Sequence, residues 1–224
     1  MPLTQTLHQL YETLYGSYGS QRWWPAEGPF EVMLGAVLTQ NTTWSGVEKA
    51  MPALKAACDM TPAGLLSLPL ERLQEIVRPT GYFRQKALRL RNLCRFLLDR
   101  YGGDLALMDR VPTPVLRQEF LALHGIGPET ADSILLYALN RPVFVVDAYT
   151  VRLLPRLGLA DGRQGYREVQ DLFMENLPPD TGLYNEYHAL IVAHGKGRCR
   201  KQTPRCMECP LEAMCLHGRM RTSV

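Results

Sequence analysis

Most of the chain repeats apolar positions every three to four residues, the period of helices that bury one face. The segments carrying this pattern are LHQLYETLY, FEVMLGAVL, VEKAMPALKAAC, LERLQEIV, KALRLRNLCRFLLDRY, VLRQEFLAL, TADSILLYAL, YTVRLLPRLG, YREVQDLFMENL and NEYHALIVAHG. Between them stand MTPAG, RPTG, YGGD and LPPDTG, where proline cannot continue a helix and glycine ends one. About ten short helices follow from this pattern. No stretch alternates with period two, and the β-branched run VFVV at 143–146 is too short and isolated for a sheet. The segments do not recur at a fixed period, which argues against a solenoid. The expected fold class is all-α.

With 224 residues, 46% hydrophobic and 21% charged, the chain has ordinary globular composition and is long enough for one large domain or two small ones. No window approaches the ~20 apolar residues of a membrane span. The first residues, MPLTQTLHQLYETLYGSYG, have neither the basic nor the apolar region of a secretory signal. The expected location is the cytoplasm, at the nucleoid if the chain binds DNA, with no membrane partner and a monomer as the default.

The net charge of +3 is modest, but it is unevenly spread. Arg78, Arg84, Lys86, Arg89, Arg91, Arg95 and Arg100 crowd one helical stretch with Asp99 as the single acid. Lys196, Arg198, Arg200, Lys201, Arg205, Arg219 and Arg221 crowd the C-terminal part against Glu208 and Glu212. Such patches suit a polyanion; a solvated helix face followed by a basic tail would read the same way.

Four of the six cysteines lie in CRKQTPRCMECPLEAMC, spaced Cys199-x6-Cys206-x2-Cys209-x5-Cys215. A reducing compartment disfavours disulfides, which leaves a metal as the stronger reading. Four thiolates this close can hold a tetrahedral zinc or a four-iron cluster; paired CxxC knuckles would favour zinc, and the uneven spacing suits the larger cluster. Cys58 and Cys94 fall on apolar helix faces and are expected in the core. The loop RKQTPR would hold Arg200, Lys201 and Arg205 at the surface, where they suit phosphate contacts. His124, His188 and His194 show no metal spacing and no neighbouring nucleophile, so no chemistry is assigned to them.

The segment LHGIGPETA puts two glycines, Gly125 and Gly127, between helical patterns. Glycines there can take conformations that strain other residues, and they bare the N–H groups at the start of the next helix to an anion such as phosphate. A glycine turn inside a helical hairpin is the plainer alternative.

LHGIGPETA, then VVDAYTVRL, then the cysteine loop together resemble the helix-hairpin-helix DNA glycosylases of the endonuclease III superfamily, from about Phe30 to Cys215. The resemblance implies a two-lobed helical fold with damaged double-stranded DNA across the cleft. One lobe would span 27–140, with the LTQNT loop and the hairpin. The other would join 1–26 to 141–224, with the catalytic Asp147 and a 4Fe-4S cluster on Cys199, Cys206, Cys209 and Cys215. In lyase members a lysine follows the hairpin and forms a Schiff base; the matching residue is Glu129, and a carboxylate cannot form an imine. A monofunctional glycosylase is therefore expected, with Asp147 stabilising an oxocarbenium-like sugar and orienting or deprotonating water. By itself Asp147 is also a good helix N-cap, and Glu129 a good first-turn acid.

QRWWPAEGPFEVMLGAVLTQNTTW and VRPTGYFRQKALRL are closest to the 3-methyladenine glycosylase III branch, which is usually without the iron–sulfur loop. An N-alkylated purine is cationic, so electron-rich rings can select it once it is flipped. Trp23, Trp24 and Trp44, with Lys196 nearby, are the expected base pocket, although large aromatics also serve cores. Asn41 matches the family residue that fills the gap left by the extruded nucleotide. The rival enzyme reading is an endonuclease III-type lyase on oxidised pyrimidines using Lys86 or Lys196 as the amine. The rivals from other classes are a catalytically inactive iron–sulfur DNA-binding protein and a zinc-bearing regulator.

Overall fold

The computed structural model describes residues Pro2–Gly218; Arg219 and Arg221 of the C-terminal basic run lie outside them. Among the described residues there is no strand; 216–218 are helical, and eleven longer α-helices precede them. They are α1 (Leu3–Tyr18), α2 (Pro29–Leu38), α3 (Trp44–Ala57), α4 (Pro62–Ser67), α5 (Leu70–Val77), α6 (Phe83–Tyr101), α7 (Thr113–Leu121), α8 (Pro128–Ser133), α9 (Ala148–Leu157), α10 (Tyr166–Met174) and α11 (Thr181–Gly197). α8 continues into a π-helical turn, Ile134–Ala138.

The apolar periodicity accounts for all of these except α4. MTPAG reads as a helix end, yet it is a helix start: the Thr61 hydroxyl accepts from Gly64 N–H at 3.0 Å and Pro62 takes the first helical position. RPTG likewise forms a 3-10 turn, Arg78–Thr80, against α3, where a Cβ on Gly46 would press on the Pro79 carbonyl. Asp180 in LPPDTG caps α11 by accepting from Leu183 N–H at 2.6 Å.

The chain forms two compact units, one of Trp24–Arg141 and the other of the described residues on either side of it. In the first, α2 runs through the middle and touches α3, α6, α8 and the π turn. Every residue of α2 from Val32 to Leu38 is buried, as a helix apolar all round requires. In the second unit α11 has this role, packing on α1 and α9. VFVV is neither helix nor paired strand but a buried segment without regular structure. Phe144 stacks on Phe173 at 3.9 Å and meets Tyr184 and Tyr187 edge-on, and its carbonyl accepts from Gln170 Nε2 at 2.7 Å. This packing fixes the chain immediately before Asp147.

Cys94 is buried as expected, and Cys58 is partly exposed at the end of α3. The basic run along α6 is not one continuous surface. Lys86 is 1% exposed, Arg91 donates to the Leu68 carbonyl and Arg100 pairs with Glu119. Arg78, Arg84 and Arg95 are exposed. Charge count alone could not separate an inward-facing lysine from a solvated one.

Candidate active site and DNA-binding elements

Asp147 is the N-cap of α9. Its Oδ1 accepts from Tyr149 N–H at 3.0 Å, Thr150 N–H at 2.8 Å and the Thr150 hydroxyl at 2.9 Å. Its Oδ2 lies 3.6 Å from His188 Nε2, beyond a good hydrogen bond but within electrostatic reach. Burial pushes the carboxyl up, but His188 and the Thr150 donors outweigh it and hold the group below its usual range. His188 reaches this place because α11 crosses α9 closely: a Cβ on Gly195 would collide with the Tyr149 ring. Sequence spacing gave His188 no partner. Its signal was a polar residue within the apolar run HALIVA of a buried helix.

The hairpin joins α7 to α8 through Ile126, which is buried between the two glycines. The glycines are not equivalent. Gly125 has φ +87°, and a Cβ there would also strike the Arg89 side chain, so two independent constraints demand glycine. Gly127 is extended, at φ −95° and ψ 178°, and a Cβ there would meet nothing within 4 Å. Strain does not require glycine at 127, contrary to the expectation for both positions. Its bareness leaves the turn open to an outside group. Arg117 clamps the hairpin by donating to both oxygens of the buried Asp132 at 2.7 and 3.0 Å. Glu129 is exposed in the first turn of α8.

Within the same unit Trp24 meets Trp44 edge-on at 5.0 Å and Tyr137 at 5.3 Å, and its indole lies against Gly35 of α2. Trp23 belongs to the other unit, where Lys196 Nζ sits 5.7 Å from its ring centre. Asn41 and Tyr82 are both exposed tips with left-handed backbones, at φ 51° and 46°, and Tyr82 is 66% exposed. Such a conformation is costly for a tyrosine and draws attention to a residue the sequence did not single out. Arg78 and Arg84 flank the neighbouring Phe83 ring.

Cys199, Cys206, Cys209 and Cys215 line one shared pocket together with Leu153 and Leu211. Arg156 donates to Cys199 Sγ at 3.1 Å, and its carbonyl accepts from Cys215 Sγ at 3.2 Å. His194, buried in α11, has Nε2 3.9 Å from Cys209 Sγ and Nδ1 2.9 Å from the Tyr18 hydroxyl. Among the described residues no three His, Cys, Asp or Glu groups converge as a single-ion site. The exposed loop of Arg200, Lys201 and Arg205 is tied down by Arg156, which donates to the carbonyls of Arg200 and Lys201. No helix among the described residues is long and apolar enough to cross a membrane.

Residues 34–179 match the family described as HhH-GPD superfamily base excision DNA repair protein. Over 214 residues the chain is 45% identical to MJ1434 of Methanocaldococcus jannaschii, whose name makes it a candidate DNA repair glycosylase, with 95% of this chain and 96% of that one covered. A solved non-covalent endonuclease III–DNA complex is similar with a TM-score of 0.85 at 27% identity, covering 100% of each chain. The H. pylori 3-methyladenine DNA glycosylase bound to 1,N6-ethenoadenine is similar with a TM-score of 0.73 at 29% identity, covering 88% of this chain and 98% of that one. The family match contains both the hairpin and the capped aspartate, and this chain belongs to the HhH-GPD superfamily of base excision DNA repair proteins.

Proposed function

We propose that this protein is a monofunctional DNA glycosylase that hydrolyses the N-glycosidic bond of an alkylated purine flipped out of a duplex. The observation that carries this reading is a carboxylate, Asp147, kept ionised at a helix N-terminus with one oxygen saturated by three donors. A carboxylate below its usual pKa is a weak base, so its work is electrostatic: it stabilises the positive charge that develops on the sugar as the base departs. Water then adds at C1′, loses its proton to solvent, and leaves an intact abasic strand. Glu129, at the position of the family lysine, offers no amine.

An alkylated purine carries positive charge, and the faces of Trp24 and Trp44, neighbours within one unit, suit it. The ethenoadenine complex of the H. pylori relative supports a purine adduct as substrate. DNA binding is supported by the similarity to the endonuclease III complex. The contacts assigned here are the bare N–H groups around Gly125 and Gly127, the Asn41 and Tyr82 tips, and the basic loop of Arg200, Lys201 and Arg205.

Four thiols that line one pocket at the uneven 6-2-5 spacing suit a 4Fe-4S cluster better than one zinc ion. Cys199, Cys206, Cys209 and Cys215 would hold it, and the cluster would cross-link the loop that carries the basic residues.

A second reading, an endonuclease III-type lyase, is favoured by the exposure of Lys196 beside Trp23. Lys86 is a poor choice for the amine because its ammonium is buried on two carbonyls. Duplexes each carrying one methylated purine or one oxidised pyrimidine separate the readings. The expected result is release of the methylated purine, strand cleavage only after alkali, no adduct trapped by borohydride, and iron with acid-labile sulfide in the preparation. Cleavage of the pyrimidine duplex without alkali would replace this reading with the lyase.

A further inference from the structure

Three exposed loops of the 24–141 unit converge on one face of α6. Lys86 Nζ donates to the carbonyl of Leu38, the last residue of α2, at 2.8 Å. It also donates to the carbonyl of Thr80, the last residue of the 3-10 turn, at 2.7 Å. Both carbonyls end a helical segment, where no intrahelical donor remains and the dipole favours a cation. Three residues beyond Leu38 is the Asn41 tip; two residues beyond Thr80 is the Tyr82 tip. One turn along α6, Arg89 donates to Gln40 Oε1 and its stem lies against Gly125. Gln40 in turn donates through Nε2 to the Gly125 carbonyl at 3.0 Å and the Thr130 hydroxyl at 2.8 Å.

We propose that Lys86 and Arg89, neighbours on one face of α6, are positioning residues that hold the Asn41 tip, the Tyr82 tip and the Gly125 turn in a single register. A buried ammonium in a helix core is expensive unless its donors are used. Here they are used on the roots of two tips with left-handed backbones, a conformation costly for Tyr82. A tip anchored at its root meets a distorted nucleotide without first being ordered, so the anchoring favours damaged over intact DNA. The phosphate contacts assigned to the Arg200, Lys201 and Arg205 loop, which dominate binding to intact DNA, do not need this register. The proposal rests on the reading of this unit as a DNA-binding surface and adds the element that sets its spacing.

The test uses the full chain and two duplexes, one intact and one with a tetrahydrofuran abasic analogue opposite 2-aminopurine. Wild type should prefer the tetrahydrofuran duplex and change the 2-aminopurine fluorescence. Lys86→Met should bind the intact duplex within about threefold of wild type, lose about tenfold of the preference, and lose most of the fluorescence change. Gln40→Ala, which removes the second tie without leaving a buried site empty, should lose about threefold of the preference, and it carries the test if Lys86→Met does not fold. Both variants keeping full preference and signal would overturn the proposal. So would equal losses on both duplexes, which would assign these residues to folding alone. Failure of wild type to release any base would refute the glycosylase reading and leave this binding experiment intact.

Discussion

Two buried charges, one in each unit, sit at helix ends in opposite senses. Lys86 closes the C-terminal ends of two helical segments with its N–H groups, and Asp147 opens α9 by accepting from two backbone N–H groups. Both obey the helix dipole. They differ in what remains after the backbone is satisfied. Lys86 is 1% exposed with its ammonium directed at loop roots, whereas Asp147 concentrates its bonds on Oδ1 and turns Oδ2 towards an imidazole. The first arrangement directs the whole charge at backbone carbonyls, and the second leaves one carboxylate oxygen without a backbone donor. On the proposed function, the same capping physics yields an architectural residue in one unit and a reactive one in the other.

The largest expected effect breaks this contrast at its reactive side. In Asp147→Asn the amide oxygen can still cap α9, so the fold stays while the charge is lost. Single-turnover base release should fall about a thousandfold, with duplex binding within about threefold of wild type. Parallel loss of release and binding would make Asp147 as architectural as Lys86.

How far the sequence reveals these roles depends on whether a role is local. Helix periodicity, the glycine turn, the Asp147 cap and the cysteine spacing are local, and ten of the helical segments follow from them. α4 escapes because Thr-Pro-Ala-Gly is read as a break, while the Thr61 hydroxyl makes it a start. Lys86 looks like one member of a basic run because nothing local reveals that its partners lie at Leu38, 48 residues away. His188 is lost for the same reason: its contact with Asp147 exists only where α11 crosses α9. The division of the tryptophans, Trp23 in one unit and Trp24 in the other, could not be read from two adjacent letters.

A second measurement sharpens the contrast from the Lys86 side. Burial, with Arg89 adding to it, lowers the Lys86 pKa from 10.5 to about 8. Between those values the unfolded chain binds a proton that the folded chain does not, so wild-type stability should rise with pH relative to Lys86→Met. The gain across the window is capped at ~3 kcal/mol. Urea midpoints at pH 7.5 and 10 measure it. A gap that stays constant would mean that the two carbonyls fully offset the burial, and that the ammonium is held there without cost.

The smallest effect tests whether the donors around Asp147 tune charge or only hold the cap. Thr150→Val keeps the shape and the backbone N–H but removes the hydroxyl that donates to Oδ1 at 2.9 Å. One lost donor to a charged group should cost about 1 to 2 kcal/mol and let the Asp147 pKa rise towards its ordinary value. Because the wild-type carboxyl is held low, its stabilisation is present above the unfolded value and disappears as pH falls through the folded one. In the variant the acid limb of base release should therefore move to higher pH, with only a few-fold loss at neutrality. A uniform loss at every pH with an unmoved limb would show that the hydroxyl positions the carboxylate without setting its charge, and that the backbone donors and His188 alone keep Asp147 ionised.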